Sequence, residues 1–427
     1  MFQTLKNAWV IKEIRNKILF TIMIILIFRV GSVIPVPFVN PDVLKAATES
    51  NSFFNYLSIL TGGGLEYGAI FALSVTPYIN SSIIVQLLTV VFTRLQEWSK
   101  EGEEGQKKLA QLTRFATVIL ALIQGIAYFI YLKNSRALSV TKTFDIWFAG
   151  FVIVLAFTAG SALVMWLGER IDEKGIGNGI SILLFAGILS RGPQAFLALY
   201  NSWITNHQVA TIAIVVIFLA IIMFVVWMTH AERRIPVQYA KRVVGNKMYG
   251  GQNTHIPIKV NMSGVMPIIF ASSILMLPTM ILSFMGTPTK GFALVVYKIC
   301  NLFSVQGTFY AIMYFLMIIG FAYFYATIQF NPVEMANNLR KNGGAVPGIR
   351  PGQPTTDFIS KILSRITLLG ALFLSVVAIL PIIIGNVGKI NISVGGTSLL
   401  IMVGVALDVV RSLESQMMMR HYKGFLD

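Results

Sequence analysis

The sequence predicts an all-α membrane protein with ten transmembrane helices, and three observations lead to this fold class. First, 55% of the 427 residues are hydrophobic and only 12% are charged, whereas soluble domains carry about 25% charged residues. Second, the apolar runs are continuous over about 20 residues, which is the length of a membrane-spanning helix and not the alternating pattern of a barrel strand. Third, most of the positive charge lies in every second loop, as expected for a chain that crosses the membrane repeatedly.

Ten apolar stretches are predicted to be spans. The second follows a semi-polar stretch with three consecutive glycines, and the fifth begins in the glycine-rich sequence 175–179 and ends at Arg191-Gly-Pro193. These two carry the weakest apolar signal of the set. The predicted spans are residues 18–36, 70–92, 115–132, 147–167, 179–200, 209–228, 263–285, 309–330, 366–385 and 397–416.

The basic residues predict the orientation of these spans. With the N-terminus in the cytoplasm, 25 of the 34 Lys and Arg residues fall on the cytoplasmic side and eight fall on the outer side. Arg29 lies in the first span near its outer end, where its long side chain can reach the interface. The first span has no small-residue cleavage pattern, so it is expected to be retained. The positive-inside rule then places both termini in the cytoplasm.

Ten spans divide into two sets of five. Because five is odd, the second set would enter the membrane from the opposite side, so the halves would be inverted repeats related by an axis in the membrane plane. We predict an N-terminal half at residues 1–205 and a C-terminal half at 206–427. The two halves share no clear sequence identity.

The chain offers few residues for catalysis or metal binding. It has one cysteine, Cys300, and four scattered histidines, so neither a disulfide nor a Cys/His metal cluster is expected. No acid–base pair or nucleophile–base pair has a usable spacing, so the chain is predicted to be neither an enzyme nor the holder of a cofactor. Asp408 and Arg411 are three residues apart in the last span, which favours a neighbouring ion pair over a proton relay.

Two of the predicted cytoplasmic loops, at about 229–262 and 331–365, exceed 30 residues, well above the usual length of a connection. Their charge could serve orientation alone. Both, however, mix Arg with apolar residues and with Pro or Gly. This composition favours an ordered docking surface for a partner that carries acidic groups, such as a ribosome or a motor protein. Phosphate binding by their glycines is a weak alternative, because no Walker pattern is present.

Several spans combine small or polar residues with aliphatic ones. Ile79 and Ile83 share one helix face, as do Ile180 and Leu184, because residues four apart lie one above the other. Ordinary helix packing explains most patterns of this kind. The functional alternative is a polar vestibule closed by an aliphatic constriction that resists water and ions.

Five sequence motifs resemble the SecY family of protein-conducting channels, in order along essentially the whole chain. Gly168-Glu-Arg-Ile with Gly175-Ile-Gly-Asn-Gly-Ile-Ser181, and Val260-Asn-Met-Ser-Gly-Val-Met-Pro267, are the most specific. The others are 76–88, Pro347-Gly-Ile-Arg-Pro-Gly352 and 395–401. The resemblance implies two five-helix halves that close like a clamshell around a central pore. It implies a channel that passes unfolded secretory chains across the bacterial inner membrane and releases hydrophobic segments sideways into lipid.

The resemblance also assigns residues to roles. The positions that match the family's pore ring are Ile79, Ile83, Ile180, Leu184, Ile269 and Ile401. The family often has isoleucine where Leu184 stands, and the similar volume implies a similar seal. Residues 53–68 match the plug, a short re-entrant element, whose members include Phe53, Tyr56, Leu57, Gly62, Gly63 and Gly64. Its glycines suit a segment that moves.

The second and seventh spans match the lateral gate of the family, with Asn80, Ser81, Gln86, Ser272 and Ser273 near the seam. Motor or ribosome docking is expected at Arg233, Arg234, Lys241, Arg242, Lys247, Arg340, Lys341 and Arg350. The partners that the resemblance implies are the SecE and SecG subunits, the SecA ATPase, the ribosome and the signal sequences of secretory precursors. Anionic lipid is a further partner that the basic loops suit.

Two other functions remain open on the residues alone. A secondary transporter with inverted repeats would need a coupling ion and an ionisable residue at mid-membrane, and the sequence shows no evident candidate for that residue. A lipid-organising protein would use its basic loops for charge alone, in which case Arg350→Lys would have no effect. A docking site that uses the planar fork of Arg would be weakened by that substitution.

Overall fold

The computed structural model describes residues 8–50, 58, 61–140, 143–204, 208–239, 242–244, 247–249, 253–262, 264–285, 292–303, 307–388 and 396–423. Most of them are helical. The helices are α1 (Lys12–Gly31), α2 (Pro41–Ser50), α3 (Thr76–Val91), α4 (Thr93–Lys100), α5 (Glu103–Asn134), α6 (Thr143–Lys174), α7 (Gly179–Leu189), α8 (Gly192–Ile204), α9 (Gln208–His230), α10 (Met266–Met285), α11 (Phe292–Asn301), α12 (Thr308–Gln329), α13 (Pro332–Lys341), α14 (Gln353–Gly388) and α15 (Gly396–Lys423). The strands are β1 (Glu232–Tyr239), β2 (Arg242–Val244), β3 (Lys247–Tyr249), β4 (Asn253–Lys259) and β5 (Gly344–Ala345).

Each of the ten predicted spans falls on helical structure. By length and composition, six of the described helical stretches could cross a membrane, and a bent pair would make seven. That pair is α3 and α4, which meet at an angle of 104°. The second span begins later than predicted, at Thr76, because residues 61–75 form turns and Pro77 is suited to the first turn of a helix. The fifth is interrupted between Leu189 and Gly192.

Contacts within the chain define two compact units. The first comprises Met1–Gln208, Met276–Val305 and Ile401–Asp427, and the second comprises Val209–Leu275 and Gln306–Leu400. Two stretches that follow residue 208 thus group with the first unit. The division into two halves of five helices each stays a prediction.

The core of the first unit lies between α5 and α6. Tyr128 and Phe157 are buried there, and their rings meet edge to face with centroids 5.2 Å apart, a favoured aromatic geometry. Gly125 of α5 faces Val154 of α6, where a Cβ would make ordinary van der Waals contact at 3.6 Å. The turn-rich segment 61–75 packs into the same core.

The second unit contains a three-stranded β-sheet that was not predicted from the sequence. Strand β1 pairs with β4 on one edge and with β5 on the other, both antiparallel, so the two long basic loops form one three-stranded sheet. Ile235 and Val237 are buried while Arg234 and Pro236 between and beside them are exposed, which is the period-two pattern of a half-buried strand. A separate two-stranded sheet joins β2 and β3.

A shared hydrophobic core holds these loops together. It contains Ile235, Val237 and Ile258 of the sheet, together with Ala336, Leu339, Val346, Ile359, Leu363 and Ile366 from the second loop and from α14. Helix α13 starts at an Asn331 cap, whose side chain accepts from two backbone N–H groups, and at Pro332. We call the assembly of β1, β4 and residues 331–366, which include α13 and β5, the basic module.

Candidate functional site

The residues predicted to form the pore ring are apolar side chains with different degrees of burial. Ile83, Ile180, Leu184 and Ile401 are each less than 10% exposed, and Ile79 and Ile269 are partly buried. The Ile180 side chain lies against Gly168 of α6, because a Cβ at that glycine would be 2.5 Å from the isoleucine Cδ1. Helix packing therefore accounts for part of its burial. That the six residues form one ring stays a prediction.

The signature sequence around residues 168–181 builds the start of α7. The Asp172 carboxylate accepts a hydrogen bond from the backbone N–H of Gly179 at 2.7 Å, and the Asn178 side chain caps the helix by accepting from Ser181 at 2.9 Å. Gly177 has φ of +71°, a conformation that favours glycine. The motif thus positions the helix that carries Ile180 and Leu184.

The predicted plug is only partly within the described residues. Phe53, Tyr56 and Leu57 lie outside them. Gly62 and Gly63 have positive φ, and residues 61–66 are all buried. A Cβ at Gly62 would come within 2.8 Å of the Gly187 carbonyl oxygen. These glycines therefore permit a tight turn pressed against α7, and their role in movement stays a prediction.

A set of polar side chains surrounds this turn. Arg191, at the break between α7 and α8, forms an ion pair with Glu66 and donates a hydrogen bond to the Ser58 hydroxyl, both at 2.5 Å. The two paired side chains are 14% and 6% exposed, so water screens the pair weakly. We call Arg29, Ser58, Gly62, Glu66, Ser190 and Arg191 the Arg191 cluster.

Two further side chains reach the same turn at one carbonyl. The Gly62 oxygen accepts from the Arg29 guanidinium at 3.1 Å. The Ser190 hydroxyl lies 3.3 Å from the same oxygen and donates at 2.6 Å to the Gly187 carbonyl. Arg29 was expected only to reach the membrane interface, and the structure gives it a specific partner instead. The sequence signal for the cluster was a charged Glu66 within an otherwise apolar and small-residue stretch, which a buried partner explains.

The residues predicted for the lateral gate lie on α3 and α10. Gln86 donates to the Ser82 hydroxyl at 3.5 Å, and the Ser272 hydroxyl donates back to the Ile269 carbonyl at 2.9 Å. Ser81 is fully buried and its hydroxyl has no hydrogen-bond partner in the described part of the chain. Asn80 and Ser273 are partly buried. Their role at a seam stays a prediction.

The basic module displays positive charge on a folded scaffold. Arg233, Arg340, Lys341 and Arg350 are exposed, and the Arg350 carbonyl accepts from Thr355 at 2.9 Å, which ties that turn to the start of α14. Arg234 is also exposed and pairs with Glu232 at 2.7 Å. The remaining predicted docking residues belong to the β2–β3 region, where Arg242 and Lys247 lie on the strands and Lys241 lies outside the described residues.

Comparison with known proteins decides the family. The sequence model of the SecY family matches residues 69–410. The chain belongs to the SecY family. A relative from Bacillus subtilis (strain 168), named protein translocase subunit SecY, is 43% identical, with 100% of both chains covered. A relative of the same name from Thermotoga maritima is 42% identical, with 100% of this chain and 98% of the relative covered.

Solved structures show that the fold is that of SecY and Sec61 channels. One, described as showing that the SecY plug domain stabilises the closed state of the translocation channel and maintains a membrane seal, gives a TM-score of 0.66 at 17% identity, with 94% of this chain and 92% of that chain covered. Another, described as Sec61 in the canine ribosome–channel complex from the endoplasmic reticulum, gives a TM-score of 0.64 at 17% identity, with the same coverage. The two-half, ten-helix arrangement that the sequence predicts is consistent with this fold.

Proposed function

We propose that this chain is the pore-forming subunit of a bacterial Sec protein translocase, a passive gated channel. It passes unfolded secretory polypeptides across the inner membrane and releases hydrophobic segments laterally into lipid. The observation that carries this proposal is identity of more than 40% over the full length to relatives named protein translocase subunit SecY. The channel fold supports it independently.

The aliphatic residues at 79, 83, 180, 184, 269 and 401 would form the constriction of this channel. Such side chains offer no fixed polar partner, so one constriction fits many peptide sequences. When it is empty, an apolar constriction of this kind excludes water and thereby ions. The segment 53–68 would act as the plug, as the relative with a described plug domain suggests.

The lateral opening would lie between the helices that carry Asn80, Ser81 and Gln86 and those that carry Ser272 and Ser273. Hydrogen bonds between transmembrane helices contribute only about 0.6–2 kcal/mol each. Small polar side chains would therefore close the opening weakly, so that an apolar signal helix competes with them. Ser81, buried with an unpartnered hydroxyl, supports this idea because it lowers the cost of separation.

The basic module would be the docking surface for the source of energy, either the SecA ATPase or the ribosome. Its exposed arginines suit acidic groups and phosphate, and a Sec61 channel of the same fold is found in a ribosome complex. The module would face the cytoplasm together with both termini. We further propose that the channel assembles with SecE and SecG and catalyses no reaction itself.

The deciding experiment uses proteoliposomes that contain this chain with SecE, and adds SecA, ATP and a signal-bearing precursor. We expect the precursor to become protease-protected only with ATP. Arg350→Glu should reduce protection severalfold if the loop docks the motor. Lys133→Glu is the matched control, because it makes the same charge change at an exposed residue on the predicted outer side.

The outcomes separate the proposals. Protection that survives Arg350→Glu keeps the channel but removes Arg350 from the motor interface. Equal losses in both variants point to a general effect of charge. If no protection occurs although the motor hydrolyses ATP, the channel proposal is wrong and a secondary transporter with inverted repeats becomes the better interpretation.

A further inference from the structure

The loop that carries Arg350 is held at its start by a turn rooted in the hydrophobic core. The Ile349 N–H donates to the Val346 carbonyl at 3.1 Å, with Pro347 and Gly348 between them. Proline followed by a residue with positive φ is typical of a type II turn, and Gly348 has φ of +80°. Val346 is 4% exposed in the core of the basic module, and Ile349 packs against that core. The residue directly before Arg350 is therefore anchored.

The other side of Arg350 is held by a single buried hydroxyl. Thr355 is 3% exposed, and its hydroxyl donates to the Arg350 carbonyl at 2.9 Å. The Thr355 N–H donates to the Gly352 carbonyl at 3.1 Å, so Thr355 also bonds the residue that precedes α14. Because a buried polar group that loses its partner is costly, the Thr355 hydroxyl favours the backbone position in which it reaches Arg350.

The sequence restrains the backbone between these two anchors. Arg350 precedes Pro351, and a residue before proline is restricted to extended conformations. Gly352 has φ of +109°, which side chains other than glycine rarely adopt, and it lets the chain turn back toward Thr355. The Arg350 backbone thus has little freedom, whereas the Arg350 side chain is exposed.

A fixed backbone matters for an arginine that binds by geometry. The guanidinium presents a planar fork that matches a carboxylate through two parallel hydrogen bonds. A group that is ordered before its partner arrives loses less freedom on binding. Arg234 is exposed as well, but it pairs with Glu232 at 2.7 Å, so part of its fork is already used. Arg350 combines an exposed fork with a fixed backbone.

We propose that Thr355 is a positioning residue, whose hydroxyl holds the Arg350 backbone so that the guanidinium meets a carboxylate of the SecA motor in one direction. Thr355 is buried and acts only through Arg350. This inference rests on the proposed function, in which Arg350 contacts the motor. The restraint on Arg350, however, is a property of this chain and can be measured without any partner.

The first measurement needs no motor. In a Cys300→Ser background, which removes the single native cysteine, Arg350→Cys carries a nitroxide spin label whose motion is followed by electron paramagnetic resonance. We expect Thr355→Val to narrow the central line of the spectrum, the sign of faster motion, whereas Thr355→Ser keeps a hydroxyl and should not. Thr356→Val is the matched control, because the Thr356 hydroxyl bonds the Gly352 carbonyl instead, at 3.4 Å. A spectrum unchanged by Thr355→Val overturns the restraint, whatever the channel does.

The second measurement asks whether the restraint serves docking. Proteoliposomes that contain this chain with SecE are titrated with SecA, and the ATP hydrolysis that depends on a signal-bearing precursor is followed. We expect Thr355→Val to raise the SecA concentration for half-maximal hydrolysis about two- to tenfold, the range that one lost hydrogen bond corresponds to, with the maximal rate unchanged. Thr355→Ser should restore most of the affinity, and Thr356→Val should leave it at its original value.

A double-mutant cycle separates positioning from support of the fold. If Thr355 acts through the Arg350 side chain, Thr355→Val should have no further effect once Arg350→Ala has removed the guanidinium. An equal loss with and without Arg350→Ala would mean a general structural role and would overturn the proposal. A titration that Thr355→Val leaves unchanged, although Arg350→Ala weakens it, would do the same. If neither substitution changes the titration, Arg350 is not a motor contact and the positioning role falls with it. The channel proposal fails separately, when no precursor becomes protected.

Discussion

Ile83 and Ile84 are adjacent in α3 but lie in different environments. Ile83 is 4% exposed, whereas Ile84 is 43% exposed. Of these two residues, the family resemblance assigns only Ile83 to the pore ring. The two residues therefore form a matched pair for testing that assignment, with the same side chain, the same helix and the same substitution.

We expect Ile83→Ser to increase ion leak through the resting channel severalfold, because a hydroxyl lets water wet an apolar constriction. Ile84→Ser should leave the leak near its original value. The measurement is the conductance of planar bilayers that contain the chain with the proposed SecE and SecG subunits. Equal leak in the two variants would show that Ile83 does not line the constriction.

For individual residues, the sequence predicted which side chains have a role better than it predicted which other residues they contact. The aliphatic positions are found by resemblance because their motifs are local in the sequence. The pairing of Arg191 with Glu66 could not be predicted, because no spacing rule links residues that the fold brings together from different elements. Arg29 illustrates the same limit. Its place in the sequence predicted that it lies near the outer end of the first span, but not that it donates a hydrogen bond to the Gly62 carbonyl.

Among the elements, the turn at Gly62 depends on the absence of a side chain. Its φ is +67°, and a Cβ there would lie 2.8 Å from the Gly187 carbonyl oxygen and 2.9 Å from the Gly187 Cα. Gly102, before α5, has φ of +77° with no atom within 4 Å of the same position. Gly102 thus shares the positive φ of Gly62 without the close approach.

Replacing each glycine by alanine separates these two costs. Both substitutions should lower the free energy of unfolding by about 1–3 kcal/mol through the positive φ, which side chains other than glycine rarely adopt. Gly62→Ala should cost about 1–3 kcal/mol more, because overpacking displaces the turn or α7. Thermal unfolding in detergent gives the difference. If the two variants melt together, the contact between the turn and α7 is looser than the structure indicates.

The basic module is the second element whose parts depend on each other. Ile258 of β4 is 1% exposed in the core shared by both loops, and replacing it by alanine should cost about 2–5 kcal/mol. We expect the protease sensitivity of the 331–365 loop to rise together with that of the 229–262 loop. Val333→Ala, at a 54% exposed position, is the control. Cleavage that rises only in 229–262 would show that the loops fold separately.

Secondary structure in the spans was predictable and that in the loops was not. Runs of about 20 apolar residues predict helices without ambiguity, and the structure has helix at each of them. Strand β1 was missed because only Ile235 and Val237 alternate with polar residues, too short a pattern to identify a strand alone. Its partners β4 and β5 come from distant parts of the sequence, so the sheet is a tertiary result.

Across the whole chain, the distribution of the 34 Lys and Arg residues predicts one orientation. In a Cys300→Ser background, Lys133→Cys should react with a membrane-impermeant maleimide added outside intact cells. Lys341→Cys should react only after the membrane is opened. Both positions are exposed, so burial does not limit either reaction. The reverse pattern would invert the topology and place the basic module outside the cell.

The shared core of the basic module has a consequence for how the chain is made. Ile235 packs in a core that is completed by Leu363 and Ile366, about 130 residues later in synthesis. At a translation rate of about 5–20 residues per second, the first basic loop waits roughly 7–26 s for its partners. During that delay β1 is a nascent strand with an open edge, and its first residues, Glu232, Arg233 and Arg234, are the kind of charges that keep such an edge from pairing wrongly. The surface that carries the exposed basic residues therefore matures only after the second basic loop has been synthesised.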